Sequence, residues 1–189
     1  MRKVAQVLSN IFDPLIVIPI IFLSTIGAAY LQAEVSLVQF GLLIMVYLGL
    51  PGLIYFWMLS TKRINDPDIS RRELRLPLFR DIIIIHLFGV AASYWWQLFP
   101  LAYQLTLLWL VLLTYALLTR FMKVSIHAGV NTILVLIAIW RLGPWGYALA
   151  WIPLVVGLAR IIDKQHTVFQ VVLGIAIALA LFAPALFIP

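Results

Sequence analysis

The sequence lacks cysteine altogether, and charged residues make up only 11% of its 189 positions. Without cysteine the chain can form neither a disulfide framework nor a thiolate metal site. Any metal ligands would have to come from three histidines and seven carboxylates. Apolar residues account for 65% of the chain and the mean hydropathy is +1.10. These values lie far above those of soluble domains, so the composition predicts an integral membrane protein.

Apolar runs of about 20 residues, the length that crosses a bilayer as a helix, recur along the chain. They predict an all-α fold, a polytopic transmembrane bundle of six or seven helices that forms a single domain. The first run is too long for the core of a signal peptide, so we expect it to be retained as a span. Six spans are the alternative to seven if 126–140 makes only half a crossing. The predicted helices cover residues 11–31, 37–59, 80–98, 101–119, 126–140, 145–162 and 167–187.

Basic residues are distributed unevenly between the connections. Of the 13 Lys and Arg residues, all except Arg141 fall on one side of the predicted membrane. The positive-inside rule makes that side cytoplasmic. Because these residues sit in short loops and form no stripe on a soluble face, nucleic acid is not a predicted partner. Anionic lipid headgroups or a phosphorylated substrate account better for the net charge of +6.

Three polar clusters stand at the starts of predicted helices. An even number of predicted crossings separates each cluster from the next, so all three are expected at the same membrane surface. They are Arg71, Arg72 and Arg75 in the polar loop 61–77, Lys123, Ser125 and His127 in the segment 123–129, and Arg160 and His166 in the segment 159–174.

The predicted surface suits a phosphate group. Helix N-termini point free backbone amides at a bound anion, and arginine and lysine complement its charge. Ser125 is a predicted N-cap of the helix that carries His127. Two histidines beside such a site indicate phosphoryl chemistry, with one imidazole as nucleophile and the other as proton donor to the leaving oxygen.

The second and third clusters resemble two motifs of the type 2 phosphatidic acid phosphatase superfamily, membrane lipid phosphatases related to vanadium haloperoxidases. The third motif of that family reads S-R-x5-H-x3-D, and Ala159-Arg160, His166 and Gln170 keep its spacing. The second motif reads P-S-G-H, of which Ser125 and His127 are retained.

The first motif of the family reads K-x6-R-P, and Arg75-Leu76-Pro77 is similar to its end, with Asp68 in the position of the lysine. Lys123 or Arg72 is expected to replace that lysine. The resemblance covers residues 62–174 and implies a membrane helix bundle that acts on a lipid phosphate or a prenyl diphosphate without a metal or other cofactor.

Carried over to this chain, the resemblance implies that His166 attacks phosphorus to give a phosphohistidine intermediate. His127 would protonate the leaving group. The phosphoryl oxygens would be held by Arg75, Arg160 and Ser125.

Gln170 stands where the family has an aspartate. Its amide oxygen can accept the Nδ1 hydrogen of His166, but it cannot stabilise an imidazolium as a carboxylate does. Slower turnover, or a different supporting acid such as Asp163, would follow.

Two other interpretations are open. Loss of the aspartate and of the first-motif lysine is compatible with a catalytically weak or silent homologue that binds lipid phosphates. A membrane haem protein with two histidine ligands among His86, His127 and His166 is the other. For His86 itself, a hydrogen-bonded packing role is favoured, and Asn131 is expected to link helices.

Overall fold

The computed structural model describes residues 2–64, 69 and 72–187, with Arg72 described in its backbone only. All regular structure in this part of the chain is helical, which confirms the predicted all-α fold. The α-helices are α1 (Arg2–Ile11), α2 (Pro14–Leu31), α3 (Leu37–Ile44), α4 (Leu50–Ser60), α5 (Arg72–Trp95), α6 (Phe99–Thr119), α7 (Ile126–Leu142), α8 (Ile152–Ile162) and α9 (Val168–Phe182). A π-helical turn, Met45–Gly49, joins α3 to α4, and 3₁₀ segments, Gly143–Leu149 and Ala183–Phe187, follow α7 and α9.

Six helical stretches of the described residues are long and apolar enough to cross a membrane, as expected of a polytopic bundle. They are Arg2–Leu31, Leu37–Ser60, Glu73–Trp95, Phe99–Thr119, Ile126–Leu149 and Val168–Phe187. The alternative in which 126–140 makes only half a crossing is wrong, because Ile126–Leu149 is one of these six stretches. The short helix is α8, with 11 residues.

The predicted helix 145–162 is divided because the chain reverses after α7. Gly143 adopts φ 57°, a left-handed conformation that favours glycine. A Cβ at Gly146 would lie 2.4 Å from the Cα of Ile139, so the 3₁₀ segment packs back along α7. This segment takes up the first part of the predicted span and leaves only Ile152–Ile162 for α8.

Two other predicted boundaries are also wrong. The polar loop 61–77 ends earlier, because α5 already begins at Arg72 and continues through Pro77 to Trp95. Membrane helices tolerate an internal proline where neighbouring groups satisfy the freed backbone. The first stretch begins at Arg2 and is interrupted at residues 12–13, between α1 and α2.

The chain divides into two compact units. The terminal unit comprises Met1–Ile21 and Lys123–Pro189, and the central unit comprises Phe22–Met122. In the terminal unit, α7 packs against both α8 and α9, and α1 packs against α8. Its buried core is formed by Val135, Ile152 and Val156, against which Phe12, Ile139 and Leu149 pack.

Glycines allow the helices of the terminal unit to approach closely. A Cβ at Gly174 on α9 would lie 2.5 Å from the carbonyl oxygen of Ser125, at the start of α7. A Cβ at Gly157 on α8 would lie 2.5 Å from Cγ1 of Val171 on α9. The two contacts bring the start of α7 and the middle of α8 against the first half of α9.

In the central unit, α5 packs against α6 and α4. Trp109 on α6 donates a hydrogen bond from Nε1 to the carbonyl of Ile83 on α5 (3.0 Å). Tyr55, Met58, Ile64, Ile69 and Leu78 form a buried apolar cluster.

Candidate phosphate site

The second predicted cluster lies where α7 begins. Ser125 is the N-cap, as its sequence position predicts, and its hydroxyl accepts the backbone N–H of Ala128 (3.4 Å). His127 follows in the first turn. Ser125 and His127 are both buried, at 0% and 4% exposure. The start of α7 places backbone amides and the positive end of the helix dipole close to this imidazole.

The turn that ends α8 sets the spacing between Arg160 and His166 in the third cluster. Lys164 adopts φ 58°, and the N–H of Gln165 returns to the carbonyl of Arg160 (3.0 Å). With the N–H of Lys164 bonded to the carbonyl of Ile161 (2.9 Å), this is a Schellman motif. The next N–H, that of His166, also reaches the carbonyl of Arg160 (3.3 Å). The five-residue interval in R-x5-H is therefore the length of one such turn.

The start of α9 is closed by a capping box. Thr167 is the N-cap, its hydroxyl accepts the N–H of Gln170 (3.3 Å), and Oε1 of Gln170 accepts the N–H of Thr167 (3.2 Å). The backbone carbonyl of Gln170 also accepts the N–H of Ser125 (3.2 Å). That bond joins the beginnings of α7 and α9, so the second and third clusters lie side by side.

The same glutamine orients His166. Its Oε1 lies 3.1 Å from Nδ1 of His166. A backbone N–H can only donate, so the bond from Thr167 identifies this atom as the amide oxygen. Nδ1 of His166 must then carry the hydrogen and donate it. In the neutral imidazole the lone pair then resides on Nε2.

His127 has a different partner, which the sequence analysis missed. Its Nε2 lies 3.3 Å from Oδ2 of Asp13, in the interruption between α1 and α2. Oδ1 of Asp13 accepts the N–H of Leu15 (2.8 Å), as a helix N-cap does before proline at the first helical position. A carboxylate within an otherwise apolar run was the available signal, since such residues are functional candidates by default.

Asn131 fixes this arrangement from α7. Its Nδ2 donates to the carbonyl of His127 (2.8 Å) and to the carbonyl of Phe12 (2.9 Å). Both partners are acceptors, which identifies the nitrogen of the amide. Asn131 thus links α7 to Phe12, the residue next to Asp13, in keeping with its expected role between helices.

Two cations accompany the histidines. Arg160 is 5% exposed, and its charge is near enough to act on that of Asp13. Lys123 donates from Nζ to the carbonyl of Gln165 (3.1 Å), the residue before His166. Both cations therefore belong to the same end of the terminal unit as the two imidazoles.

Asp163, the alternative supporting acid, contacts a different group. Its Oδ1 lies 3.6 Å from Nε of Arg2 on α1. The group that lies at Nδ1 of His166 is the amide of Gln170.

The first cluster lies in the central unit. Arg75 is buried at 4% exposure on α5 and donates from Nε to the carbonyl of Ile69 (2.8 Å). The side chain of Arg72, as well as Asp68 and Arg71, lies outside the described residues. The convergence of this cluster with the histidines stays a prediction.

The ring of His86 packs against two aromatic side chains. The ring centroids of Phe22 and Tyr47 lie 5.3 and 4.6 Å from that of His86. These ring contacts agree with the packing part of the expected role. The hydrogen-bonded part is not seen, because Nε2 of His86 is buried and has no hydrogen-bond partner among the described residues. Among the described residues, no group of three or more His, Asp or Glu side chains could hold a metal ion.

Comparison of this chain with protein-family models, with curated proteins and with solved structures finds no match.

Proposed function

We propose that the protein is a membrane phosphatase that hydrolyses a lipid phosphate or a prenyl diphosphate through a phosphohistidine intermediate on His166. The observation that carries the proposal is the pair of buried imidazoles at the joined starts of α7 and α9, beside a buried arginine. The motif order and spacing described for the superfamily above support the same assignment.

In the first step, the lone pair on Nε2 of His166 attacks phosphorus. The bond from phosphorus to the leaving oxygen breaks, and that oxygen takes a proton from His127. Gln170 supports this step because its oxygen keeps the hydrogen of His166 on Nδ1. A neutral, correctly oriented imidazole is the form that attacks.

In the second step, water attacks the phosphorus of the phosphohistidine. His127, now neutral, accepts the proton of that water as the phosphorus–nitrogen bond breaks and inorganic phosphate leaves. Arg160 and the amides at the start of α7 supply the positive charge and donors that phosphoryl oxygens need in both steps. Arg75, Arg72 and Lys123 are further candidates for this task.

A lipid is the proposed substrate because the histidine adjoins an apolar outer surface. Val168, Phe169 and Val172, immediately after His166 on α9, are all more than half exposed. In a membrane helix these side chains face hydrocarbon, so an acyl or prenyl chain can lie beside the headgroup that reacts.

The silent-homologue alternative rests on the glutamine in place of aspartate. The contact of Gln170 with Nδ1 weakens that argument, since the acceptor that orients the ring is retained. What the amide lacks is negative charge alone. A slow enzyme fits these contacts better than a pure binding protein.

The proposal is tested by measuring phosphate release from phosphatidate, phosphatidylglycerol phosphate and farnesyl diphosphate, with and without EDTA. We expect release from at least one of them, unchanged by the chelator. His166→Ala should abolish it while the thermal unfolding of the protein is retained. His86→Gln, which changes a histidine packed between aromatic rings, is the matched control and should remain active.

Protein that is inert toward all three lipids, while an active lipid phosphatase works in parallel, would overturn the proposal. Binding of the lipid phosphates without turnover would then identify the silent homologue. A Soret band in the absorbance spectrum of the purified protein would favour the haem interpretation instead.

A further inference from the structure

The first helix, α1, presents three different sides. The side that carries Ala5 and Ser9 is buried, and α1 packs against α8. A second side carries Val4, Val7 and Ile11, which are all more than half exposed. These three side chains project in similar directions, because residues three, four and seven positions apart share one side of a helix. An apolar side of α1 therefore lies outside the protein core.

The third side of α1 is polar. It carries Lys3, Gln6 and Asn10, which are also three or four positions apart and are all exposed. Arg2 precedes them, and the sequence of α1 contains two basic residues and no acidic one. Beyond the side that packs on α8, α1 is thus an amphipathic helix with a basic start.

The helix α1 is additional to the membrane crossing that follows it. The next helix, α2, contains 18 residues. A helix of that length is about 27 Å long, close to the hydrocarbon thickness of about 30 Å. Residues 12–13 separate the two helices, and the side chain of Asp13 accepts an N–H at the start of α2. Because α1 is attached to one end of a membrane-crossing helix, it lies at the boundary of the bilayer.

Contacts at both ends of α1 align it with α8. Near the start of α1, Nε of Arg2 lies 3.6 Å from Oδ1 of Asp163, the residue that ends α8. Just after the end of α1, the ring of Phe12 packs edge-on against that of Trp151, the residue before α8, with 6.5 Å between the centroids. The two helices are therefore antiparallel neighbours, and a surface that binds α1 also holds α8 and the turn that follows it.

The polar side extends over most of α1, and this determines how the helix is oriented. A helix that entered hydrocarbon steeply would bring Gln6 and Asn10 into lipid, where unpaired amides are costly. A helix that stayed in water would instead expose a contiguous apolar side. A helix that lies in the headgroup layer satisfies both sides. Basic residues on the polar side are typical of interfacial helices that bind anionic lipids.

We infer that α1 is an interfacial helix that binds the anionic headgroup layer of the bilayer, with Val7 and its apolar neighbours toward the acyl chains and Lys3 toward the headgroups. This inference is independent of the proposed phosphatase function, because no reacting group takes part in it. Through the contacts with α8, α1 keeps the turn between Arg160 and His166 at the depth of the lipid headgroups.

The absence of cysteine allows the depth of α1 to be measured residue by residue. Single cysteines in the full chain are spin-labelled in vesicles of phosphatidylcholine and phosphatidylglycerol. Collision rates are measured with oxygen, which concentrates in hydrocarbon, and with the neutral, water-soluble chelate nickel ethylenediaminediacetate. The ratio of the two rates should oscillate with a period of about 3.6 residues and be higher on the apolar side. The variants are Val4→Cys, Val7→Cys and Ile11→Cys on the apolar side and Lys3→Cys, Gln6→Cys and Asn10→Cys on the polar side.

A second measurement tests the anionic partner. A fluorophore on Val7→Cys is quenched by brominated phosphatidylglycerol or by brominated phosphatidylcholine, and the comparison gives the local preference for the anionic lipid. Adding Lys3→Gln should lower that preference by about two- to fivefold, the effect of one basic residue at an anionic surface. Lys3→Arg keeps the charge, so it is the matched control and should retain the preference.

Four results would overturn the inference. A collision ratio that changes steadily from Lys3→Cys to Ile11→Cys would mean that α1 continues the crossing of α2. Labels on both sides that collide mainly with the nickel chelate would place α1 in water. Labels on the apolar side that collide with neither reagent would mean that a second copy of the chain covers this side. A lipid preference unchanged by Lys3→Gln would rule out anionic headgroups as the partner.

Discussion

The two buried histidines of the terminal unit are held in opposite ways. His166 donates from Nδ1 to a neutral amide, that of Gln170, whereas His127 contacts a carboxylate, that of Asp13, through Nε2. A neutral partner fixes a tautomer, and a charged partner in addition compensates an imidazolium. If the proposed function is correct, this difference between the partners would let one residue type supply both the nucleophile and the acid.

Replacing each histidine in turn is the strongest test of the different roles assigned to them. His166→Ala should abolish turnover of both a lipid substrate and p-nitrophenyl phosphate, since no phosphohistidine can form. His127→Ala should lose about 10²- to 10⁴-fold in kcat/KM with the lipid and much less with the aryl phosphate. Labelled phosphate retained on the protein after an alkaline quench would report the intermediate.

The reverse pattern would exchange the roles. If His127→Ala abolishes the labelled intermediate and His166→Ala retains it, then the histidine beside the carboxylate is the nucleophile. The roles inferred from the charges of Gln170 and Asp13 would then be wrong, although the same residues would still form the active site.

Changing the partner of His166 is expected to have the next largest effect. Gln170→Leu removes the acceptor of both Nδ1 of His166 and the N–H of Thr167, so kcat/KM should fall by about tenfold or more. Loss of the capping-box bond should also lower the free energy of unfolding by about 1 kcal/mol. Gln170→Glu keeps both acceptors and adds a negative charge, and it should retain or raise activity.

Substrate turnover and thermal unfolding of the two variants check these expectations. Equal losses in Gln170→Leu and Gln170→Glu would mean that the amide nitrogen matters and that the ring of His166 is oriented by some other group.

The sequence predicted the architecture because long apolar runs report directly on membrane helices. It also predicted that the segments of Ser125 and His166 lie together, as the bond between Ser125 and Gln170 shows. The even count of crossings used for that prediction did not hold, because α8 is not among the six stretches long enough to cross a membrane. The exact helix boundaries were harder to predict from the sequence. The reversal at Gly143 depends on packing of the following segment against Ile139, and no periodicity in the sequence marks it.

Asp13 was missed for a related reason. It lies 114 positions before His127, and their contact depends on the Asn131 side chain and on a break between two helices. Spacing arguments connect residues within one helix or turn, so they cannot reveal such a pair. The intramembrane carboxylate itself was visible and could have been considered a candidate.

The contact that joins the two histidine segments can be weakened without touching either imidazole. Gly174→Ala would place a Cβ 2.5 Å from the carbonyl oxygen of Ser125, a backbone atom that cannot move aside cheaply. We expect the free energy of unfolding to fall by about 1–3 kcal/mol, the usual cost of overpacking, with a partial loss of activity. Thermal unfolding in detergent measures the first effect.

Gly41→Ala is the matched control, because a Cβ there would meet no atom within 4 Å and alanine favours the helix. Equal unfolding temperatures for the two variants would show that α7 and α9 separate easily at Ser125, which would weaken the view that the site is held rigid.

The smallest expected effect concerns Asp163, whose carboxylate lies near Arg2. Arg2→Gln removes the partner of Asp163, but the side chain of Arg2 is 70% exposed and the N–O distance is 3.6 Å. Exposed ion pairs contribute about 0–1 kcal/mol, so unfolding should shift by no more than that, and kcat/KM should be unchanged. A clear loss of activity with unchanged stability would instead mean that Arg2 directs Asp163 toward the reacting groups. In that case the supporting acid of His166 would be Asp163, and the contrast between a neutral and a charged partner would no longer separate the two imidazoles.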